Sequence, residues 1–357
     1  MALFSRSSKK LLGVDISSSA VKLVEVSRAD VRGQWQYRVE AFAATGIPEG
    51  VVESKRINDP GIVGDAIRDV VARSGATSKR AAAAVSGSSI ISRVIQLPAG
   101  LSESEMEAMV ALEADQHIPQ HIDEVRYDFD VLGVNAVNAD SVDVLLAASR
   151  GDVVDDLMNA LEVGGLIPQV IDAEPYAAEH CYQLLMQEEA PENRDLNTVV
   201  ADIGARSMDV HVLHLGNVVH TREYAIGGRQ LTADIQQAYG LNFDEAEMQK
   251  CQGKAESGFD ETVVQPFIQR IVQELRGALQ IYQAKDEGAT IGQILLAGGC
   301  ANLPGIASRM EEQLSLPVRV WTPFAQMQVA KQVHIDRLRE QAPALTVACG
   351  LALWGYL

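Results

Sequence analysis

The sequence predicts an α/β protein of two lobes, each opening with a strand, a turn and a second strand, with a small α/β module set into the first lobe. Three observations predict this organisation. The chain has 357 residues, more than one hydrophobic core usually serves. The segments GVDISSSAVKLVEV and VADIGARSMDVHVL echo each other at a spacing of about 190 residues. Between them, residues 88–171 show the order β-α-β-β-α-β, which is typical of a small self-contained unit.

The first lobe is predicted to begin near the start of the chain. Apolar and β-branched residues between turn-forming ones predict strands at 11–16, 20–26 and 35–45, the first two joined by a turn of three serines. Apolar side chains at helical spacing predict a helix over 60–74. The apolar run at 81–86 predicts a buried strand.

The inserted module is predicted to begin with a strand at 89–97. Ser102 and Glu105 form a capping-box pair, which predicts a helix that runs to about residue 117. The rest of the module is predicted as strands at 125–134 and 142–149, a helix over 152–164 and a closing strand at 168–172.

A helix over 174–188 and a polar, proline-containing boundary at 187–197 precede the second lobe. We expect the first lobe to comprise 11–87 and 172–190, with 345–357 returning to it, the inserted module to comprise 88–171, the second lobe 195–344, and a flexible tail 1–10.

Composition limits the class of partner. The formal net charge is −18, and so acidic a surface repels phosphate backbones, so no nucleic-acid partner is expected. The most apolar terminal stretch, 345–357, has 13 residues, too few to cross roughly 30 Å of hydrocarbon. We therefore expect a cytoplasmic protein that meets the membrane only through partners. Widely spaced cysteines are expected to be small buried residues without a chemical role: Cys181, Cys251, Cys300 and Cys349.

A carboxylate stands at the head of each echoing turn, Asp15 in the first and Asp202 in the second. Two such turns can present backbone N–H groups to the phosphates of ATP, and a carboxylate can face a phosphate only through a cation, usually Mg²⁺ with its own waters. Lys22 is placed to reach a phosphate oxygen. The alternative is two ordinary hairpins, each begun by an aspartate that favours turns. Because the two hairpins hold like positions in two lobes, nucleotide binding is favoured over two ordinary hairpins.

The pair of hairpins resembles the two phosphate-binding motifs of the superfamily of actin, sugar kinases and heat-shock chaperone ATPases. DAEPYAAE (172–179) resembles its first connecting helix, GGRQLTADIQQAYGLNFDEAEMQK (227–250) a segment of FtsA and MreB, and ILLAGGCANLPGI (294–306) its adenosine motif. Residues 345–356 resemble the second connecting helix. Five motifs in the right order imply an actin-like ATPase fold with an FtsA-type insertion in the first lobe.

The resemblance also assigns roles. It implies that Asp15 and Asp202 hold Mg²⁺ through water, and that Glu247 and Lys250 hydrogen-bond the ribose hydroxyls. It implies a phosphate site formed by Ser17, Ser18, Ser19, Lys22 and Gly204, closed by Gly227 and Gly228. It implies close approach of the backbone to the adenosine at Gly298, Gly299 and Asn302.

Several of these residues have an ordinary alternative. Glu247 and Lys250 are also what a solvated helical ion pair would use, and adjacent glycines also make a plain strand-to-helix turn. Glu174 either orients a lytic water or stabilises a helix N-terminus. Ser17 stands where the superfamily usually has glycine, and a side chain there hinders close approach or a left-handed turn. ATP binding with slow hydrolysis at best is therefore expected.

The position of the inserted module, and the segments LLGVDISSSAVKLVEV, LPAGLSESEMEAMVALEADQHIP and IDAEPYAAE, are similar to those of the PilM family, the FtsA-like proteins of type IV pilus machines. That resemblance implies a scaffold which binds ATP and captures the short N-terminal cytoplasmic segment of PilN, the inner-membrane protein that works with PilO and PilP. It implies no particular oligomeric state.

Other functions stay open at this point. An FtsA-like division protein is expected to end in a linker and a membrane-binding helix, whereas this sequence is expected to end within its last domain helix. A scaffold similar to the secretion protein GspL would lack the motifs at Asp15 and Asp202. A small-molecule kinase would need a base such as Asp172. A metal site formed by His211, His214 and His220 is not expected, because they do not share one strand face and fit exposed positions better.

Overall fold

The computed structural model describes residues 10–53, 56–86, 89–185, 195–252, 260–285 and 288–356. The first half of the chain forms, in order, β1 (Leu12–Ile16), β2 (Ala20–Val31), β3 (Gln34–Gly46), β4 (Val52–Glu53), β5 (Arg56–Ile57), α1 (Pro60–Ser74), β6 (Arg80–Val85), β7 (Ile90–Pro98), α2 (Glu103–His117), β8 (Val125–Val134), β9 (Ser141–Arg150), α3 (Gly151–Val163), β10 (Ile167–Ala173) and α4 (Glu174–Leu185). Parts of the predicted tail, of the boundary at 187–197 and of helix 174–188 lie outside the described residues.

The second half continues with β11 (Asn197–Ile203), β12 (Met208–His214), β13 (Asn217–Tyr224), α5 (Gly228–Tyr239), α6 (Phe243–Gln252), α7 (Gln265–Lys285), β14 (Ile291–Ala297), α8 (Ile306–Leu314), β15 (Val318–Val320), β16 (Gln328–Val329), α9 (Ile335–Gln341) and α10 (Thr346–Leu353). The predicted strands and helices are present with boundaries shifted by a few residues; the largest difference is the β2–β3 hairpin, which extends to residues 31 and 34.

Local capping chemistry explains where the helices begin. Asp59 precedes α1 and its carboxylate accepts hydrogen bonds from the backbone N–H groups of Gly61 and Ile62. Pro60 opens the same helix, where its missing N–H costs nothing. The predicted capping box of Ser102 and Glu105 is confirmed at the start of α2.

Two sheets repeat one strand order. In the first, β1 lies between β2, which is antiparallel to it, and β6, which is parallel, and the full order is β10-β6-β1-β2-β3-β16. In the second, β11 lies between antiparallel β12 and parallel β14, in the order β13-β12-β11-β14-β15. The echo between the two hairpins is therefore a repeat of architecture, and it confirms the prediction of two α/β lobes.

The inserted module is smaller than the sequence analysis predicted. Its sheet holds three antiparallel strands in the order β7-β9-β8, with α2 packed on one face. The predicted closing strand is β10, which instead pairs in parallel with β6 of the first sheet. Helix α3 packs its buried Leu157 and Leu161 into the core of the first lobe. The prediction of a self-contained unit over 88–171 is thus wrong after residue 150, because β10 joins the first sheet and α3 packs in the core of the first lobe.

One strand crosses between the predicted lobes. β16 falls within the segment assigned to the second lobe, 195–344, yet it pairs in parallel with Arg38 and Val39 of β3 at the edge of the first sheet. This two-residue pairing ties the chain that follows the second sheet back to the first lobe.

The interface between the lobes is a hydrophobic core of its own. It contains Val24 and Val39 from the first sheet, Val200 and Leu295 from the second, and buried side chains of α4 and α10. Helix α10 crosses close to β1, where a Cβ added to Gly13 would lie 1.8 Å from the carbonyl oxygen of Ala348. The last helix therefore packs directly against the first sheet. In the described part of the chain no helix is long and apolar enough to span a membrane.

Candidate functional site

A cavity of about 520 Å³ lies between the two lobes. From the first lobe it is lined by the β1–β2 turn, the end of β6 and the start of α4; from the second it is lined by the β11–β12 turn and by parts of β12 and β13. Asp15 and Asp202 both line it, so the two echoing carboxylates lie in the walls of a single cavity. Ser17, Ser18, Lys22, Glu174 and Gly204 line it as well.

The β1–β2 hairpin sets the geometry of the first wall. Its register places Asp15 opposite Lys22, and the Lys22 Nζ donates to Asp15 Oδ2 at 2.8 Å. Asp15 is only 6% exposed, so this ion pair is shielded from water. Burial by itself lowers the pKa of Lys22, but the nearby carboxylates of Asp15, Asp202 and Glu174 outweigh it and raise that pKa above the ordinary lysine value. Lys22 is therefore a fixed positive charge at neutral pH.

Ser17 closes the first turn. Its backbone N–H donates to the carbonyl oxygen of Ala20 at 2.9 Å, its hydroxyl donates to the same oxygen at 3.0 Å, and the N–H of Ala20 donates back to the hydroxyl at 3.2 Å. Ser17 is not among the described non-glycine residues with positive φ. The expected conflict with a left-handed turn is therefore wrong, because this turn does not use that conformation.

Backbone contacts build the β11–β12 turn. The N–H of Gly204 donates to the carbonyl oxygen of Ser207 at 2.9 Å, and the Gly204 oxygen accepts from the N–H of Gly228 at 2.9 Å. A Cβ on Gly227 would lie 2.7 Å from the Ala205 backbone. The start of α5 is thus held directly against the turn, which requires glycine at the point of closest approach.

Gly298 makes the second close approach. It follows β14 with a φ of +83°, and a Cβ there would lie 2.5 Å from Asp202 Oδ1 and 2.4 Å from the carbonyl oxygen of Ile203. Only glycine permits both this left-handed backbone and this proximity. The turn after β14 therefore passes against the carboxylate of Asp202.

Glu247 and Lys250 form a network under the start of α5. Lys250 Nζ donates to Glu247 Oε1 at 2.6 Å, to Thr232 Oγ1 at 2.9 Å and to the Gly228 oxygen at 3.3 Å. The Lys250 side chain is 12% exposed, so the alternative of a solvated helical ion pair does not describe it. This network touches the second turn through Gly228, yet neither Glu247 nor Lys250 lines the cavity.

The predicted adenosine residues are also set back from the cavity. Gly299 begins a short turn, and Asn302 is exposed, its amide donating to the carbonyl oxygen of Glu340 at 2.6 Å. Ser19, Gly227, Gly228, Gly298, Gly299 and Asn302 are not among the residues that line the cavity. Most residues of the predicted phosphate site thus line one cavity, whereas the residues predicted to contact ribose and adenosine do not line it.

Asp172, the base that a kinase would need, lies at the end of β10 and does not line the cavity. Burial raises the pKa of Asp172 to about 6, an effect that the negative charge of Glu179 reinforces. Its Oδ1 accepts from the N–H of Ala173 at 2.7 Å. Nothing in this position favours the kinase alternative.

The cysteine and histidine predictions are partly wrong. Cys181, Cys300 and Cys349 are buried as expected, but Cys251 is exposed. Burial raises the pKa of Cys300 to about 11, which keeps it a thiol. His211 was expected to be exposed, yet it is 6% exposed, and its Nδ1 lies 3.0 Å from Thr221 Oγ1. The strand face that carries it lines the cavity.

Sequence reasoning missed part of the second wall. The cavity is also lined by Arg206 in the second turn, by Asp209 and His211 on β12, and by Thr221, Arg222 and Glu223 on β13. Asp209 lies opposite Asp202 in the β11–β12 register. The alternation of polar residues at 209 and 211 with buried valines is a strand signal that could have identified this face.

The chain matches the family model of the type IV pilus assembly protein PilM over residues 13–356. A solved PilM–PilN type IV pilus biogenesis complex contains a chain that is 27% identical and superposes with a TM-score of 0.80, covering 98% of this chain and 99% of that one. The cell division protein FtsA of Neisseria meningitidis serogroup B is 26% identical over 246 residues, 62% of this chain and 57% of FtsA.

More distant structures share the fold. EutJ of Carboxydothermus hydrogenoformans superposes with a TM-score of 0.57 at 18% identity, over 97% of this chain and 89% of EutJ. MreB5 of Spiroplasma citri bound to AMPPNP superposes with a TM-score of 0.50 at 13% identity, over 97% and 96%. The predicted actin-like ATPase fold with an FtsA-type insertion is confirmed. The chain spans less than two thirds of the length of the FtsA proteins that it matches.

Proposed function

Because the chain belongs to the PilM family of type IV pilus assembly proteins, we propose that it is an ATP-binding scaffold of pilus assembly that captures the N-terminal cytoplasmic segment of PilN. The observation that carries this proposal is the family match over residues 13–356, together with the likeness to a solved PilM–PilN complex over nearly all of both chains. The scaffold acts on the cytoplasmic side of the inner membrane and meets PilO and PilP through PilN.

The cavity between the lobes supports ATP binding. Its volume suits a nucleotide, and the backbone passes close to Asp202 at Gly298, where any side chain would intrude. Asp15 and Asp202 would hold Mg²⁺ through its waters, and Lys22 and the turn N–H groups would bind phosphate. Glu247 and Lys250, whose network contacts the second turn through Gly228, would hydrogen-bond the ribose hydroxyls. The metal, when bound, supplies the positive charge that lets two carboxylates face a triphosphate.

Slow turnover at most is part of this proposal. Glu174 begins α4 in the cavity wall and is the residue that would orient a lytic water. The Ser17 hydroxyl is engaged with Ala20 in the turn. Steady hydrolysis at ordinary kinase rates, above roughly 1 s⁻¹, would contradict the scaffold role.

The small sheet supports capture of an extended peptide. β7 and β8 are both edge strands of the order β7-β9-β8, and an edge strand offers unpaired backbone groups to an added strand. A PilN segment paired with one of these edges would be fixed by backbone hydrogen bonds, with side-chain pockets supplying specificity.

A binding assay with a fluorescent PilN N-terminal peptide tests the partner. We expect saturable binding by the full chain, no binding of a scrambled peptide of the same composition, and displacement by unlabelled PilN peptide. An FtsA-like division role is the second candidate, favoured by the FtsA relatives. If the chain retained the scrambled peptide as well as the native one, the pilus role would be contradicted.

A further inference from the structure

We propose that Arg206 is a phosphate-binding residue of the cleft and that Glu49, from the opposite lobe, competes with the phosphate for it. This inference rests on the proposed binding of ATP. Arg206 lies in the β11–β12 turn, four residues after Asp202, and its side chain lines the same cavity as Asp15, Ser18 and Lys22.

Glu49 reaches across the mouth of the cleft. It lies between β3 and β4 of the first lobe, and its Oε1 accepts from Arg206 Nη2 at 3.3 Å. The same oxygen pairs with Arg229, at the start of α5. Arg206 also lies 4.0 Å from Glu53 Oε1. Two arginines of the second lobe thus meet carboxylates of the first lobe at one point.

The two arginines differ in one respect that matters for a ligand. Arg206 lines the cavity, whereas Arg229 does not, its guanidinium lying instead 5.7 Å from the ring centroid of Phe243. The Glu49 side chain is 68% exposed, and ion pairs so open to water contribute little stability. The contact between Arg206 and Glu49 is therefore easily exchanged for a stronger partner.

Carboxylates outnumber permanent cations in the described lining of the cavity, so a phosphate bound there depends on the few cations that can reach it. That lining holds five carboxylates and three permanent cations: Asp15, Glu174, Asp202, Asp209, Glu223, Lys22, Arg206 and Arg222. Lys22 is held by Asp15 at 2.8 Å, and Arg222 lies on β13 opposite Val210 with its guanidinium over Tyr224. Arg206, in the turn itself, has a planar fork that matches two phosphate oxygens.

A bound state follows from this geometry. When phosphate binds, Arg206 exchanges its contact with Glu49 for the phosphate oxygens. Glu49 stays paired with Arg229, so this ion pair still links the two lobes at the mouth of the cleft. Glu49 then lowers nucleotide affinity as a competitor, which is opposite to the effect of a simple clamp. A clamp would make Glu49, Arg206 and Arg229 equally helpful to binding.

Calorimetric titration of the full chain with Mg·ATP and with AMP tests this. Arg206→Gln is expected to weaken Mg·ATP binding about tenfold, the loss of one charged hydrogen-bonding partner. Binding of AMP, which lacks the β- and γ-phosphates that the two turns would face, is expected to stay within about twofold. Glu49→Gln is expected to strengthen Mg·ATP binding roughly threefold by removing the competitor. Arg229→Gln is expected to change Mg·ATP binding less than Glu49→Gln does and towards weaker binding, because Glu49 then loses its other arginine partner.

Each part of the proposal would be refuted by a different result of the titration. Wild-type binding of Mg·ATP with an unchanged Arg206→Gln variant would refute the role of Arg206 and leave ATP binding intact. Weakening by Glu49→Gln to the same degree as by Arg206→Gln would identify a clamp and refute competition. No binding by the wild type would remove both proposals. Thermal unfolding checks that each variant folds, and Arg206→Lys, which keeps the charge, is expected to recover part of the affinity.

Discussion

The β1–β2 hairpin of the first lobe and the β11–β12 hairpin of the second occupy equivalent places in sheets of one strand order, yet they hold their turns differently. Both turns are closed by the same backbone bond, from the N–H of Ser17 to the oxygen of Ala20 and from the N–H of Gly204 to the oxygen of Ser207. The first turn adds side-chain bonds, from the Ser17 hydroxyl to Ala20 and from Lys22 to Asp15. The second adds a backbone bond instead, from the N–H of Gly228 to the oxygen of Gly204. The shared requirement is a carboxylate at the head of a tight turn, and the turn chemistry is free to differ.

The strands that carry these turns differ as well. Two residues before Asp15 lies Gly13, whereas two residues before Asp202 lies the buried Val200. Asp172 lies one residue before the end of β10, the outer strand of the first sheet. The residue after β15, the outer strand of the second, is Trp321, which is 2% exposed and 5.1 Å from the ring of Tyr182. At these positions the first lobe has a glycine and a half-buried carboxylate where the second has buried apolar side chains.

Replacing Gly13 of β1 by valine, the residue at the equivalent position 200 of β11, is expected to have the largest effect on stability. In Gly13→Val the new Cβ would start 1.8 Å from the Ala348 oxygen and 2.6 Å from the Ala352 nitrogen, both backbone atoms of α10. Overpacking against backbone costs roughly 3 kcal/mol or more, so the free energy of unfolding should fall by about that amount in urea denaturation. A loss below about 0.5 kcal/mol would contradict the close crossing of α10 over β1.

A matched glycine provides the control. Gly277 lies inside α7 with no atom within 4 Å of an added Cβ. Gly277→Ala is expected to raise the free energy of unfolding by about 0.5–1 kcal/mol, since alanine is the better helix former. Destabilisation by both substitutions alike would show that the effect at Gly13 is not specific to the helix crossing.

Removing the buried charge at the end of β10 is expected to have a smaller effect that depends on pH. The pKa of Asp172 is raised to about 6, so the folded chain binds this proton more tightly than the unfolded chain. The carboxyl group therefore destabilises the fold as the pH rises from the unfolded pKa of about 4 to about 6, and the penalty is complete above pH 6. Asp172→Asn should raise the free energy of unfolding at pH 8 by about 1–3 kcal/mol.

The gain from Asp172→Asn should shrink as the pH falls from 6 towards 4, because the wild-type carboxyl group is then protonated and neutral in the folded state. Asp336, whose side chain is 94% exposed, supplies the control, and Asp336→Asn should change the free energy of unfolding by less than about 0.5 kcal/mol. A gain at pH 8 no larger than that at pH 4 would argue against a buried ionised Asp172.

Much of the fold could be predicted from the sequence because local signals determine where its helices and strands begin and end. Asp59, Ser102 and Gly75 mark helix ends through caps and a left-handed glycine, and the repeated hairpins indicated two lobes. Strand partners were not readable, because periodicity shows which face of a strand is buried but not which strand lies beside it. β10 was therefore assigned to the small module although it pairs with β6, and the pairing of β16 with β3 was not foreseen.

The candidate site could be predicted in part, because some of its residues belong to local sequence motifs. Asp15, Lys22 and Asp202 stand in turns whose motif resembles a known one, and they line one cavity. Arg206 and Asp209 belong to the same wall and to the segment VADIGARSMDVHVL, yet the sequence analysis assigned them no role, because the motif identifies the head of the turn and not which later side chains face the cavity. Residue type alone did not separate the buried His211 from the exposed His214.

The central claim is that carboxylates from both lobes serve one metal-bound nucleotide, and titration calorimetry with ATP tests it most directly. We expect the wild type to bind ATP only when Mg²⁺ is present, and Asp202→Ala to weaken that binding by roughly 100-fold or more, beyond the loss of a single neutral hydrogen bond. Asp336→Ala, far exposed at the surface, should bind as the wild type does. A wild-type chain that binds no ATP in the presence of Mg²⁺, or an Asp202→Ala variant that binds it equally well, would contradict the account.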